Sequence, residues 1–412
     1  MTVRQVFRVD PEMFRSVVRG NFMHKFELKP EYIEQYFLEL IAGRRKEWYD
    51  KALIQILFVA SRFYRMGIQF RNWMYDKRVI RHHALGCLVV SIGNLSCGGT
   101  GKTPVVEVFA RSLSARGRKV AILSRGYRSK KLSFREKLHQ RFTNQKIDLP
   151  PKVVSDGKNL LLNSEFAGDE PFMLASNLRD VAVVVDKDRV KSGVYAIKNF
   201  KTDVIILDDG FQYLMLKPHI NIVLVDSTDP FGNGHVLPRG ILREPIKNIR
   251  RADYIFLTKS DGSHKIHHLK RFLRRCTKRA EIIECCHKPK YLVRMSDAKQ
   301  EELNFLAGKK VAALSAIAKP RSFEAFLEQL GAELVCTDHY ADHHRYTQQE
   351  IIDFINQAKS AGADIIVTTE KDAVRIPRID RCDVPLYYLR IQIDILSGQE
   401  NFDECISRIC FM

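Results

Sequence analysis

Short apolar runs punctuate this chain at intervals that suit strands separated by helices. They fall at residues 87–94 (CLVVSIGN), 119–126 (KVAILSRG), 181–186 (VAVVVD), 203–210 (DVIILDDG), 221–226 (NIVLVD) and 253–258 (DYIFLT). Each run is nearly continuous and rich in β-branched residues. Strands of that kind are buried on both faces, as in a parallel sheet covered by helices. Four more runs, at 310–316, 332–338, 364–372 and 384–391, form a second and smaller α/β series.

One stretch follows a helical period. Over residues 53–70, Leu53, Ile56, Leu57, Ala60, Phe63, Tyr64, Gly67 and Ile68 fall on one face. Gln55, Arg62, Arg65 and Gln69 fall on the other, and Phe58 is out of place. Basic residues flank the stretch, with Trp48, Trp73 and Tyr75 near its ends. Such a helix suits a membrane surface. It also suits packing on its own domain with a solvated basic face. No run reaches the ~18 consecutive apolar residues of a spanning helix. Residues 1–45 read as a helical extension without a chemical motif. The stretch around 260–305 is charged and lacks clear periodicity, which places a domain boundary there. The expected division is an extension at 1–45, a first domain at 46–285, a linker at 286–305 and a C-terminal α/β domain at 306–412.

The first run leads directly into Ser96, Cys97, Gly98, Gly99, Thr100, Gly101, Lys102 and Thr103. Its glycines let backbone N–H groups curl round a phosphate. Lys102 can reach the β- and γ-phosphates of a nucleotide, and the Thr103 hydroxyl can ligate Mg²⁺. Pro104 suits the first turn of a helix whose N-terminal dipole faces the anion. Ser96 stands where this P-loop pattern usually opens with glycine; the strand before and the helix after restore the reading. The fourth run ends in Asp208 and Asp209. Adjacent carboxylates at a buried strand tip repel one another and call for a cation, and a strand-end aspartate holds Mg²⁺ in P-loop enzymes.

Other signals are weaker singly: AGDEP at 167–171, SRGY at 124–127, GNGHVLPRGILREP at 232–245 and TDHYADHHRYT at 337–347. Each alone also reads as a cap, a turn or a surface loop. In order, however, SIGNLSCGGTGKTP, SRGY, AGDEP, DDGFQ, GNGHVLPRGILREP, RRADYIFLT, DHH and TTEKD resemble the tetraacyldisaccharide 4′-kinases of lipid A synthesis, over roughly residues 46–395. The resemblance implies a P-loop NTPase-type parallel sheet domain followed by a second, smaller α/β/α domain. It implies transfer of the γ-phosphate of ATP to the 4′-hydroxyl of a glycolipid, the tetraacyldisaccharide 1-phosphate. It also implies a peripheral enzyme on the cytoplasmic face of the bacterial inner membrane, which favours contact of the 53–70 helix with an anionic membrane surface.

By the same resemblance, Asp169 is the catalytic base and His343 the histidine that pairs with it. Asp208 and Asp209 form the acidic motif, with Asp208 and Thr103 on the metal. Glu170, Arg125, Arg189, Gln212, Arg243 and Glu244 fall in matching polar motifs and are expected to meet the substrate. The chain departs from the family pattern at Tyr213, where histidine is frequent, at 217–219, at Arg239 and Ile241, and at 316–318. These departures touch the acceptor pocket rather than Lys102, Asp169 or Asp208.

The formal charge of +19 favours polyanions of any kind. A nucleic-acid-stimulated ATPase is therefore one alternative, but no stacking platform or DNA-binding motif accompanies the charge. A soluble small-molecule kinase is a second. A GTPase switch is a third and would need a guanine-specificity motif of NKxD type, for which TEKD at 369–372 is a poor fit. The nine cysteines show no CxxC spacing, which argues for reduced thiols in a cytosolic compartment rather than for zinc. A monomer with no nucleic-acid partner is expected.

Overall fold

All ten apolar runs form strands, because continuous β-branched segments pack on both faces of a sheet. In chain order the strands are β1 (Leu88–Asn94), β2 (Val120–Ser124), β3 (Lys152–Asp156), β4 (Val181–Val185), β5 (Val204–Asp208), β6 (Ile220–Asp226) and β7 (Tyr254–Thr258). They continue with β8 (Glu281–Arg294), β9 (Gln300–Glu301), β10 (Lys310–Ser315), β11 (Glu333–His339), β12 (Ile365–Thr369) and β13 (Leu386–Ser397). The helices are α1 (Pro30–Ile41), α2 (Trp48–Asp76), α3 (Lys102–Ala115), α4 (Ser164–Ala167), α5 (Asp169–Asn177) and α6 (Arg189–Phe200). Then follow α7 (Lys265–Cys276), α8 (Pro320–Gln329), α9 (Gln348–Ser360), α10 (Glu370–Ala373) and α11 (Gln399–Phe411). This computed structural model describes residues 30–45, 47–126, 150–263, 265–317, 320–342, 344–377, 379 and 383–411. Two units divide the chain, Met1–Lys51 and Ala52–Met412. Within the first, Tyr36 donates to the buried Asp50 at 2.6 Å.

The strands form one sheet in the order β11-β10-β12-β13-β8-β7-β6-β1-β5-β2-β4-β3, with β9 beside β8. Pairing is parallel except at β3–β4, β8–β9 and β13–β8. β1 lies between β5 and β6, so the connections leave it in both directions, and the loop after β1 opens at the carboxyl end where such sheets bind ligands. Helix α3 follows that loop. Its Phe109 is fully buried, with ring centroids 5.5 Å from Phe256 and 5.2 Å from Phe402. Truncating such a ring to alanine costs about 3–5 kcal/mol, so α3 is firmly seated.

Residues 286–305, expected as a linker, begin inside β8. That strand pairs with β7 on one side and β13 on the other, and carries the sheet from the first α/β series into the second. Its alternation is masked in the sequence because Lys288 and Lys290 occupy exposed positions.

Helix α2 has two apolar sides rather than one. Leu53, Ile54, Leu57, Ala60, Tyr64 and Ile68 are half-buried. Tyr64 Oη donates to the Arg243 carbonyl at 3.2 Å, and Gln69 and Asn72 bond to Asn248 and Glu244. A second row, Ile56, Val59, Phe63, Met66, Phe70 and Trp73, is exposed; Phe63 is 66% and Phe70 57% accessible. Ile56 and Phe63, placed by the helical period on the same face as Leu53 and Tyr64, therefore belong to this outer row. Two overlapping apolar arcs read as one broad face when only spacing is known. Among the described residues no helix is long and apolar enough to cross a membrane.

Candidate active site

The loop from Ser96 to Thr103 is a phosphate cradle built from backbone. Gly98 (φ 116°) and Gly101 (φ 77°) are in left-handed conformations that side chains adopt poorly. A Cβ on Gly101 would lie 2.6 Å from the His287 ring, while Gly98 and Gly99 face open space. Gly101 also caps α3 without a side-chain acceptor, so the first N–H groups of that helix point at the cradle. Asn94 Nδ2 bonds to Thr100 Oγ1 at 2.9 Å, and Thr258 Oγ1 donates to the Thr100 carbonyl at 2.8 Å. Lys259 Nζ reaches the Gly99 carbonyl and Asp226 Oδ2, each at 2.6 Å. Thr103 is buried at the first turn of α3.

The acidic strand tip meets this cradle. Lys102 Nζ stands 3.3 Å from Asp209 Oδ1. Arg243 Nη1 donates to both Asp209 oxygens, at 2.8 and 2.7 Å. Burial opposes the Asp209 charge, yet Lys102 and Arg243 outweigh it and hold its carboxyl below the usual range. Asp208 differs. It is buried, accepts a 3.0 Å hydrogen bond from Ser124 Oγ, and is pushed up to about 6 by desolvation and by the neighbouring charge of Glu170. A buried carboxylate short of positive charge is what a divalent cation would relieve, and Thr103 can supply a second oxygen. Among the described residues no group of three or more His, Cys, Asp or Glu side chains could hold a metal by itself. That fits Mg²⁺, which keeps several waters and takes phosphate oxygens.

Asp169 opens α5, just after Gly168, whose φ of 94° lets the chain turn out of α4. Two arginines from the C-terminal α/β part hold its carboxylate. Arg345 Nη2 donates to Oδ1 at 2.8 Å and Arg375 Nε to Oδ2 at 2.9 Å. Arg375 is itself fixed by Asp372 at 3.1 Å, and Asp372 accepts from Thr369 Oγ1 at 2.6 Å and from the Ala316 N–H at 3.1 Å. Lys371 lies 4.0 Å from Glu170. Glu370 meets Asn177 at 2.6 Å and shares Arg390 with Glu107 of α3. The segment 369–372 thus braces Asp169, Glu170 and α3 together. His343, expected beside Asp169, lies outside the described residues.

Other expected substrate contacts are placed differently. Glu244 is fully buried and takes hydrogen bonds from Asn72, Asn248 and Arg251, so it anchors α2 and presents nothing to a ligand. Arg189 is buried against the Tyr213 ring and donates to the Asp208 carbonyl at 3.0 Å, so it shapes the strand tip from behind. Burial pulls its guanidinium down, partly offset by Asp208 and Asp209. Gln212 Nε2 bonds to the Asn94 carbonyl at 2.9 Å. Arg125 is exposed just past β2. Cys97 is exposed, and its N–H donates to the Ile241 carbonyl at 2.7 Å. The site residues that sequence reasoning missed are Arg345, Arg375 and Lys259. Arg345 sits within TDHYADHHRYT, and Arg375 lies three residues after TTEKD. The signal for Lys259 was its place at the end of the 253–258 run.

The family model described as tetraacyldisaccharide-1-P 4′-kinase matches residues 53–410. The tetraacyldisaccharide 4′-kinase of Halothermothrix orenii is 34% identical over 392 residues, 91% of this chain and 98% of that protein. That of Syntrophus aciditrophicus is 36% identical over 376 residues, covering 88% and 94%. A crystal structure of LpxK from Aquifex aeolicus in complex with ATP superposes with a TM-score of 0.67 at 29% identity, covering 87% of this chain and 99% of that one.

Proposed function

Since this chain belongs to the tetraacyldisaccharide-1-phosphate 4′-kinase family, we propose a division of labour for its site residues in that family's reaction. The reaction is transfer of the γ-phosphate of ATP to the 4′-hydroxyl of a tetraacyldisaccharide 1-phosphate, giving lipid IVA. The cradle from Ser96 to Thr103 binds the triphosphate through backbone N–H groups, with Lys102 on the β- and γ-oxygens. Asp209 and Arg243 hold Lys102 in reach before nucleotide arrives. Asp208 and Thr103 would hold Mg²⁺, whose charge offsets that of the transferring phosphoryl group.

Asp169 orients the acceptor hydroxyl and takes its proton as the new P–O bond forms. Arg345 and Arg375 fix its direction. His343 belongs next to Asp169 in this reading. The outer row of α2 lies on the surface of an anionic cytoplasmic leaflet, where Phe63, Phe70 and Trp73 enter the interface and nearby arginines meet head groups.

One observation carries the assignment: the P-loop lysine meets the acidic strand tip directly, with Lys102 Nζ 3.3 Å from Asp209 Oδ1, and Glu170 of α5 lies near enough to push the Asp208 carboxyl up. The test is phosphotransfer from γ-labelled ATP to the tetraacyldisaccharide 1-phosphate in detergent micelles. Lys102→Ala should lower kcat by about 10²–10³ and Asp169→Asn by about 10²–10⁴, with circular dichroism unchanged. Full turnover by either variant refutes its assigned role.

A further inference from the structure

From the last residue of β7 the chain reads Thr258, Lys259, Ser260, Asp261, a T-K-x-D sequence whose aspartate the activity above leaves unused. It differs from the guanine-specificity pattern N-K-x-D only in its first residue, and it stands where such a motif would have to stand. β7 is two strands from β1 in the sheet. Thr258 and Lys259 are the two residues that fasten the phosphate cradle, through the Thr100 and Gly99 carbonyls. Lys259 adopts a left-handed φ of 54°, a conformation that a non-glycine residue retains where its surroundings over-determine it. Its side chain spans from the end of β7 to the Gly99 carbonyl. Ser260 continues the strand by donating its N–H to the Cys285 carbonyl at 3.1 Å.

Asp261 follows, two residues and at most about 7 Å of chain beyond Lys259. It is exposed, and Oδ1 accepts the Ser263 N–H at 2.9 Å, which orients the carboxylate. By contrast the TEKD at 369–372 serves the C-terminal α/β part, bracing Asp169 and Arg390. A carboxylate only accepts hydrogen bonds. Guanine offers it two adjacent donors, N1–H and the 2-amino group, in a charge-assisted pair. Adenine offers a lone pair at N1 on the same edge.

We infer that Asp261 reads the base of the bound nucleotide and that this chain accepts GTP as a phosphoryl donor beside ATP. The inference rests on the cradle being the nucleotide site. In the step, the Pγ–O bond to GDP breaks, the Pγ–O4′ bond forms, and the hydroxyl proton passes to Asp169. The experiment uses the full chain and measures binding of ATP and GTP with Mg²⁺ by calorimetry, then kcat/KM with each donor on the micellar glycolipid. Wild type should use GTP. Asp261→Ala should lower the GTP-to-ATP ratio of kcat/KM about fivefold or more. Asp261→Asn should invert the preference between GTP and xanthosine triphosphate, because an amide can donate to the xanthine 2-oxygen. A purely structural role would move neither ratio. Use of ATP without GTP, or smaller changes in both ratios, overturns the base-reading role and leaves the kinase assignment standing. Failure to bind either nucleotide overturns both.

Discussion

Arg375 Nε donates to Asp169 Oδ2 at 2.9 Å, joining residues 206 positions apart. The arginine side chain is fully buried and touches a second carboxylate, Asp372, so it couples the proposed base to the core of the C-terminal α/β part. Arg345, on the other Asp169 oxygen, is 39% exposed. The two contacts therefore differ in what they stabilise.

Arg375→Ala should destabilise the fold by about 3–5 kcal/mol, because it strands buried charge. It should also lower kcat about 100-fold through a misplaced Asp169. Arg375→Lys restores the charge but not the planar fork, so stability should recover more than kcat. Arg345→Ala, at an exposed pair, should cost about 1 kcal/mol or less. Denaturant midpoints and steady-state kinetics on the three variants check this. An Arg375→Ala enzyme with normal kcat would show that the clamp plays no part in turnover.

Asp208 makes folding stability depend on pH in an unusual direction. Its carboxyl is raised from 3.8 to about 6 in the folded protein, so the folded state binds the extra proton between those values. The group's contribution is complete below about pH 4 and is lost as pH rises through about 6. Asp208→Asn should then stabilise the metal-free protein at pH 8, by up to about 3 kcal/mol, with the advantage vanishing near pH 4. Thermal melts in chelator across that range provide the measurement. A variant less stable than wild type at pH 8 contradicts the desolvation account.

The outer row of α2 makes a separate prediction. Phe63→Gln with Phe70→Gln should reduce retention on anionic phospholipid vesicles tenfold or more, as each buried aromatic contributes about 1.5–3 kcal/mol. Melting temperature should hold, since both rings are already exposed. Flotation of wild type and double variant with anionic and zwitterionic vesicles decides it. Equal retention would refute membrane contact by this row.

Much of this was legible before any coordinates. The cradle is a contiguous stretch, and its chemistry is local: glycines for left-handed turns, one lysine, one hydroxyl. The strands announced themselves because burial on both faces leaves little room for polar residues. β8 escaped notice because Lys288 and Lys290 interrupt it at solvent-facing positions. Glu244 is expected at the site because it falls in a motif shared with the family; its burial beneath α2 is invisible to spacing.

The sequence by itself determined the α/β order of elements, the phosphate cradle and the acids at the tip of β5, since each depends on residues within about one turn or strand of one another. Only the tertiary structure decided which partners those groups meet. Arg375 against Asp169, Glu244 beneath α2, Lys259 beneath Gly99 and the outward turn of Phe63 all join segments far apart in the chain. Periodicity reports that a position is covered, but sheet order and helix seating choose what covers it.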